Sequence, residues 1–217
     1  MKKIVIFDLD GTLFDTTGAM AACGNHALSL LGLPTFTPGD YALFSGGGIE
    51  GYVNAILEAA GDKEHRHFDA FWRTYLEKNA TLGKEANVPY PHIPEVLAAL
   101  KERGVCLSVL SNKDQASCQQ IVKDTFGENT FSVIRGDRGD LPVKPHPAGV
   151  FDVLSRCGMK KEEALYVGDT QVDIQTGKAA GIETAAALWG YRPRNVLEAE
   201  KPDHLIASPL DILELCK

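Results

Sequence analysis

Short apolar runs rich in β-branched residues alternate with segments of helical periodicity from residue 88 to the end of the chain, and that alternation leaves few folds open. A first run opens the chain at 4–7, and the others lie at 105–110, 131–134, 164–167, 184–188 and, more weakly, 204–206. Helical patterns at 94–103, 114–126, 148–158, 172–180 and 209–215 fall between them, with Pro94 suited to a first helical turn and Gly104 to a stop. Strand and helix in strict succession predict a parallel sheet covered by helices: an α/β, Rossmann-like, doubly wound fold.

Residues 15 to about 86 depart from this pattern. They carry helical periodicity at 19–31, 49–60 and 65–79 and no convincing strand, so they read as an inserted helical unit. Thr37-Pro38-Gly39-Asp40 reads as an N-cap followed by proline at the first helical position, which adds a short helix. Pro89-Tyr90-Pro91 suits a stiff return to the sheet. The expected division is a catalytic core of 1–14 and 87–217 and a helical cap of 15–86. At 217 residues, 44% hydrophobic and 24% charged, the chain can bury a full core. A net charge of −7 without a clustered basic face argues against nucleic acid as a partner. No apolar stretch reaches the ~20 residues that span a bilayer, and the run before Asp8 is too short for a secretory signal. A cytoplasmic protein, monomer or homodimer, with no membrane partner is expected. The five cysteines are odd in number and widely spaced, as reduced and mostly buried thiols would be.

Open parallel sheets bind ligands beyond the carboxyl ends of their strands. Polar residues follow the apolar runs at these places: Asp8 and Asp10 after the first, Ser111 and Asn112 after the second, and Gly168-Asp169-Thr170-Gln171-Val172-Asp173 after the fourth. Lys144-Pro145-His146-Pro147 precedes the helix at 148. Asp8 and Asp10, two apart, would point the same way from an extended chain. A divalent cation would keep both charged; otherwise one would be protonated and serve as an acid. Gly11 allows a sharp turn and close approach of a ligand.

On the motifs Asp8-Leu9-Asp10-Gly11-Thr12-Leu13, Ser111-Asn112-Lys113, Lys144-Pro145-His146-Pro147 and Gly168-Asp169-Thr170-Gln171-Val172-Asp173, the chain resembles the haloacid dehalogenase superfamily, and within it the phosphatases similar to phosphoglycolate phosphatase. The resemblance spans essentially the whole chain. It implies a Mg²⁺-dependent phosphatase acting on a small phosphorylated metabolite. Asp8 would be the nucleophile that forms an aspartyl-phosphate, and Asp10 the acid and then the base. Dehalogenase members lack that second aspartate. The resemblance further implies that Asp8, the backbone carbonyl of Asp10 and Asp169 hold the ion, and that Asp173 positions Lys144 or a water on the metal. Ser111, the amide of Asn112 and Lys144 would bind the phosphoryl oxygens. Gly46, Gly47 and Gly48 would contact substrate from the cap.

Single motifs have plainer readings. Asp169 alone would read as an N-cap, Ser111-Asn112 as a capping turn and Lys144 as a surface charge. Asp8 and Asp10 resist such a reading, because a charged pair beside a core is costly. His65-Arg66-His67 reads as an exposed helix face, Trp72, Tyr75 and Leu76 as cap core, and Trp189-Gly190-Tyr191-Arg192 as loop packing near the site. Tyr41, Ser45, Asn54, Arg73 and Lys84 join the glycines as candidate specificity residues. Family members commonly have glycine where this chain has His92 and alanine where it has Gly177. A sugar-phosphate mutase would use the same motifs. A phosphonatase would need a cap lysine such as Lys63, Lys78 or Lys84, and a phosphate-ligand-binding protein could keep the fold without catalysis.

Overall fold

The computed structural model of the chain describes residues 1–83 and 86–217, so the candidate Lys84 lies outside the described residues. Two compact units result, Met1–Asp15 with Pro89–Lys217 and Thr16–Val88. The first unit opens with β1 (Ile4–Phe7) and a two-residue β2 (Phe14–Asp15). The second holds α1 (Thr17–Leu30), α2 (Pro38–Phe44), α3 (Gly48–Ala59) and α4 (Phe68–Asn79). After β3 (Val88–Pro89) the first unit continues through α5 (Ile93–Glu102), β4 (Cys106–Asp114), α6 (Gln115–Phe126), β5 (Val133–Asp137) and α7 (Ala148–Cys157). It ends with β6 (Ala164–Gly168), α8 (Gln171–Ala180), β7 (Glu183–Ala187), α9 (Arg194–Ala199), β8 (His204–Ile206) and α10 (Ile212–Leu215).

Six strands form one parallel sheet in the order β5-β4-β1-β6-β7-β8. β1 is interior to it and all four of its residues are buried, as expected of a strand covered on both faces. Alternation divides them. Val5 and Phe7 pack with Leu107, Val109, Val96 of α5 and Ile121 of α6, whereas Ile4 and Ile6 pack with Tyr166 and with Val150 and Val153 of α7. Each such fully buried side chain contributes about 1.5–3 kcal/mol. The register sets Phe7 opposite both Val109 of β4 and Val167 of β6. Phe7, Val109 and Val167 are therefore level, and the residues just beyond them in the three segments are neighbours. β4 and β6 flank β1 on opposite sides, which makes its carboxyl end the point where the strand order reverses.

The second unit has a separate core that includes Leu28, Tyr41, Val53, Ile56, Leu57 and Phe71. Trp72 stacks on Tyr75 at 5.3 Å, so the aromatic helix face is core as expected. Thr37 caps α2 in a reciprocal arrangement: its amide donates to Asp40 Oδ2 at 2.8 Å and its hydroxyl oxygen accepts from the Asp40 amide at 3.4 Å. Tyr41 is fully buried and donates its hydroxyl to Asn25 Oδ1 at 2.9 Å. Among the described residues no helix is long and apolar enough to cross a membrane.

Several boundaries move. The strand expected at 105–110 runs on through Asp114, because Asp114 pairs with Asp137 of β5 after a register shift. The strand expected at 131–134 is Val133–Asp137. The helix expected from 65 begins at Phe68. Asp62 accepts from the amides of Arg66 and His67 at 3.1 and 3.0 Å, and this turn keeps His65-Arg66-His67 off the helix. The segment 209–215 divides into a 3₁₀ turn, Pro209–Asp211, and α10. β2, β3 and α9 are too short to show a period in the sequence.

Candidate active site

Asp8 directly follows β1, and its amide extends the ladder by donating to the carbonyl of Val167 at 2.9 Å. Lys144 Nζ lies 2.8 Å from Asp8 Oδ1 and 2.7 Å from Asp173 Oδ1. Asp8, Asp169 and Asp173 each offer a carboxylate oxygen within 4.8 Å of the others. All four side chains are buried.

Local structure dictates each placement. Thr170 caps α8, and Asp173 completes the capping box by accepting from the Thr170 amide at 3.0 Å and its hydroxyl at 2.6 Å. Its second oxygen is thereby turned to Lys144. Asp169 is not the cap; its oxygens accept from the Thr12 hydroxyl at 3.0 Å and the Tyr191 amide at 2.7 Å. Gly11 has φ +87°, and a Cβ there would collide with the Asp169 carboxylate. A Cβ on Gly190 would meet Asp169 and the carbonyl of Gly11. The loop 189–191 is tied down further by Trp189 Nε1, which donates to the carbonyl of Thr12 at 3.0 Å. What read as loop packing is thus the support that orients Asp169.

Three carboxylates share a buried place with one ammonium, which pairs with two of them, Asp8 and Asp173. Burial pushes Asp8 up to about 7, with the Asp173 charge adding to it and the Lys144 ammonium pulling the other way. Burial likewise raises Asp169 well above the usual carboxylate range, reinforced by Asp173 and Asp8 and opposed by the Tyr191 amide. Lys144 stays well above the usual lysine range: burial works against its charge, but Asp173 and Asp8 outweigh it. The donor set consists of hard oxygens with an excess of negative charge, and it fits a divalent cation of the Mg²⁺ kind.

Ser111, Asn112 and Lys144 line one cavity together with Arg135 and His146. The Asn112 side chain holds the third motif to the second: Oδ1 accepts from the Lys144 amide at 2.8 Å and Nδ2 donates to the Lys144 carbonyl at 3.0 Å. Asp114, not Ser111 or Asn112, caps α6, accepting from the Ser117 amide at 2.9 Å. The Asp10 carboxylate stands outside the three-carboxylate cluster and meets Lys113 Nζ at 3.1 and 3.2 Å. The sequence motifs assign no role to Lys113, Thr12 or the Tyr191 amide. Lys113 was within reach there, as a charged residue in a motif at a strand end.

In the second unit, Gly46 (φ +107°) and Gly48 (φ +71°) make the turn into α3, with Gly47 as its N-cap. His65 pairs with Glu58 and His67 with Asp62, each at 2.9 Å, so the two histidines are drawn to different acids.

The chain and its fold have counterparts among known proteins. The chain belongs to the family described as haloacid dehalogenase-like hydrolase, whose sequence profile matches residues 5–187. It is 35% identical to a phosphoglycolate phosphatase of Aquifex aeolicus over 98% of this chain and 96% of that protein. It is 30% identical to the phosphoglycolate phosphatase of Pectobacterium atrosepticum over 96% of this chain and 90% of the other. A crystal structure of a predicted phosphoglycolate phosphatase from Haemophilus somnus superposes with a TM-score of 0.89 at 28% identity, covering 100% of this chain and 98% of that one. Within the family this chain is a phosphoric monoester hydrolase of the phosphoglycolate phosphatase-like group.

Proposed function

We propose that the chain is a Mg²⁺-dependent phosphatase that hydrolyses a small phosphomonoester, of which phosphoglycolate is the first to test, through an aspartyl-phosphate on Asp8. The observation that carries this reading is the buried cluster of Asp8, Asp169 and Asp173, with Lys144 paired to Asp8 and Asp173. Asp8, Asp169 and the backbone carbonyl of Asp10 would hold the ion. When bound, it supplies positive charge that offsets the carboxylates and polarises the phosphoryl group.

The chain's own residues do the rest. An Asp8 carboxylate oxygen attacks phosphorus, the ester P–O bond breaks, and the departing oxygen takes a proton from Asp10. A water oxygen then attacks the phosphorus of the aspartyl-phosphate and gives its proton to Asp10. The acyl P–O bond breaks, inorganic phosphate leaves and the Asp8 carboxylate returns. Lys144, the Ser111 hydroxyl and the Asn112 amide bind the phosphoryl oxygens and the charge that grows on them. Asp173 holds Lys144 to that task from a capping box that fixes its own rotamer. Gly46, Gly47 and Gly48, with Asn54 and Arg73, are the residues of the helical unit assigned to substrate contact.

Purified protein with Mg²⁺ is expected to release phosphate from phosphoglycolate, and Asp8→Asn to lower kcat by at least about 10³-fold. Retained turnover in that variant would overturn the nucleophile assignment. Isomerised product without net phosphate would indicate a mutase instead.

A further inference from the structure

Lys113 has no part in the scheme above. We infer that it is a positioning residue, which holds the Asp10 carboxylate in the one orientation from which both proton transfers occur. The inference rests on the phosphatase reading.

One ammonium sits 3.1 Å from one Asp10 oxygen and 3.2 Å from the other. Bridging both oxygens fixes the position of the carboxyl group and also the rotation of its plane, which one hydrogen bond to one oxygen leaves open. The two side chains are only 16% and 18% exposed, so bulk water competes weakly for the pair. The lysine stem starts from a backbone that is itself fixed. Its amide donates to Ser111 Oγ at 3.2 Å, its carbonyl accepts from the Cys118 thiol at 3.6 Å, and the next residue both pairs with β5 and caps α6. Each of the two carboxylates of the first motif thus has its own ammonium: Lys144 meets Asp8, and Lys113 meets Asp10.

Asp10 must face two reacting atoms in turn. In the first step the electron pair of the broken ester P–O bond stays on the leaving oxygen, which accepts the Asp10 proton. In the second, the attacking water passes a proton back. A carboxylate free to rotate about its χ angles would serve each step less often. The benefit depends on the leaving group, since an alkoxide requires the proton at departure and a nitrophenolate leaves without it.

The experiment compares kcat/KM for an alkyl phosphomonoester and for 4-nitrophenyl phosphate, because this ratio reports only the steps through departure of the leaving group. Lys113→Met is expected to lower the first by about 10–100-fold, part of the 10²–10⁴ that general acid catalysis provides, and the second by less than about 3-fold. Lys113→Arg is expected to restore most of the loss, and Asp10→Asn/Lys113→Met to be no slower on the alkyl ester than Asp10→Asn alone. Mg²⁺ affinity, measured by titration calorimetry, should be unchanged in Lys113→Met. Equal losses on the two esters, or additive losses in the double variant, would overturn the inference and assign Lys113 to phosphate binding or to the fold. A wild-type protein that releases phosphate from neither ester would instead overturn the phosphatase reading itself.

Discussion

Asp8 shows at the scale of one residue what a bound cation would relieve. With no ion bound, its carboxyl is raised from 3.8 to about 7 in the folded chain, first by burial and then by Asp173. The folded state therefore keeps a proton that the unfolded chain releases near pH 4. Below that the group has no effect on stability; between about pH 4 and 7 it destabilises the fold progressively, and above 7 the cost is complete, at a slope of about 1.4 kcal/mol per pH unit for one proton. Urea denaturation of metal-stripped protein should show a component of stability falling across that window, with a shallower slope in Asp8→Asn. Adding Mg²⁺ near pH 7.5 should recover the loss. A slope identical in the two proteins would count against a strained, ion-demanding Asp8. The same strain made the site legible: charged residues closing the most apolar strands are conspicuous because they are expensive. Lys113 stands out in the sequence as a charged residue within a motif, but its pairing with Asp10, 103 residues away, follows only from the lateral pairing of β1 with β4.

Elements meet where side chains run out of room, and α8 against β7 is one such place. A Cβ on Gly177 would press into the Thr184 methyl and lie 3.4 Å from Tyr166 Cβ. Thr184 cannot turn away, because its amide and its hydroxyl both donate to Asp203 Oδ2 at 2.8 Å. Gly177→Ala is therefore expected to destabilise by about 1–2 kcal/mol, overpacking outweighing the roughly 1 kcal/mol that alanine gains in a helix. Thr184→Ser in the same chain should recover most of it; a stabilising Gly177→Ala by itself would mean that the contact gives way. His92 has φ +67° as the N-cap of α5, a left-handed conformation that glycine adopts without the Cβ penalty. Strands and helices of ten residues or so were readable from period and caps. The continuation of β4 to Asp114 was not, because Ser111-Asn112-Lys113 has no apolar period and is held extended by pairing at Asp137.

At the scale of the molecule, the candidate catalytic residues and the insertion fall in different units. Asp8, Asp10, Lys113, Lys144, Asp169 and Asp173 all belong to the first unit, whose chain ends at the insertion are held close by the Tyr90 amide donating to the Leu13 carbonyl at 3.0 Å. Replacing residues 17–87 by a short Gly-Ser linker should leave a core that unfolds cooperatively and binds Mg²⁺ with unchanged affinity in calorimetry, but that no longer discriminates among phosphomonoesters. Loss of Mg²⁺ binding in that core would refute the division. The sequence changes period at 15 and 86, and the structure divides the chain after Asp15 and before Pro89; side-chain directions in the helical unit are not specified by periodicity. The crowding at Gly11 and Gly190 bears on how such a protein can change over generations. Every missense change in a glycine codon introduces a Cβ, so mutation at either position drives carbon into the support of Asp169. Drift around the carboxylates is closed from the backbone side, and new specificities must be sought in residues that do not touch them.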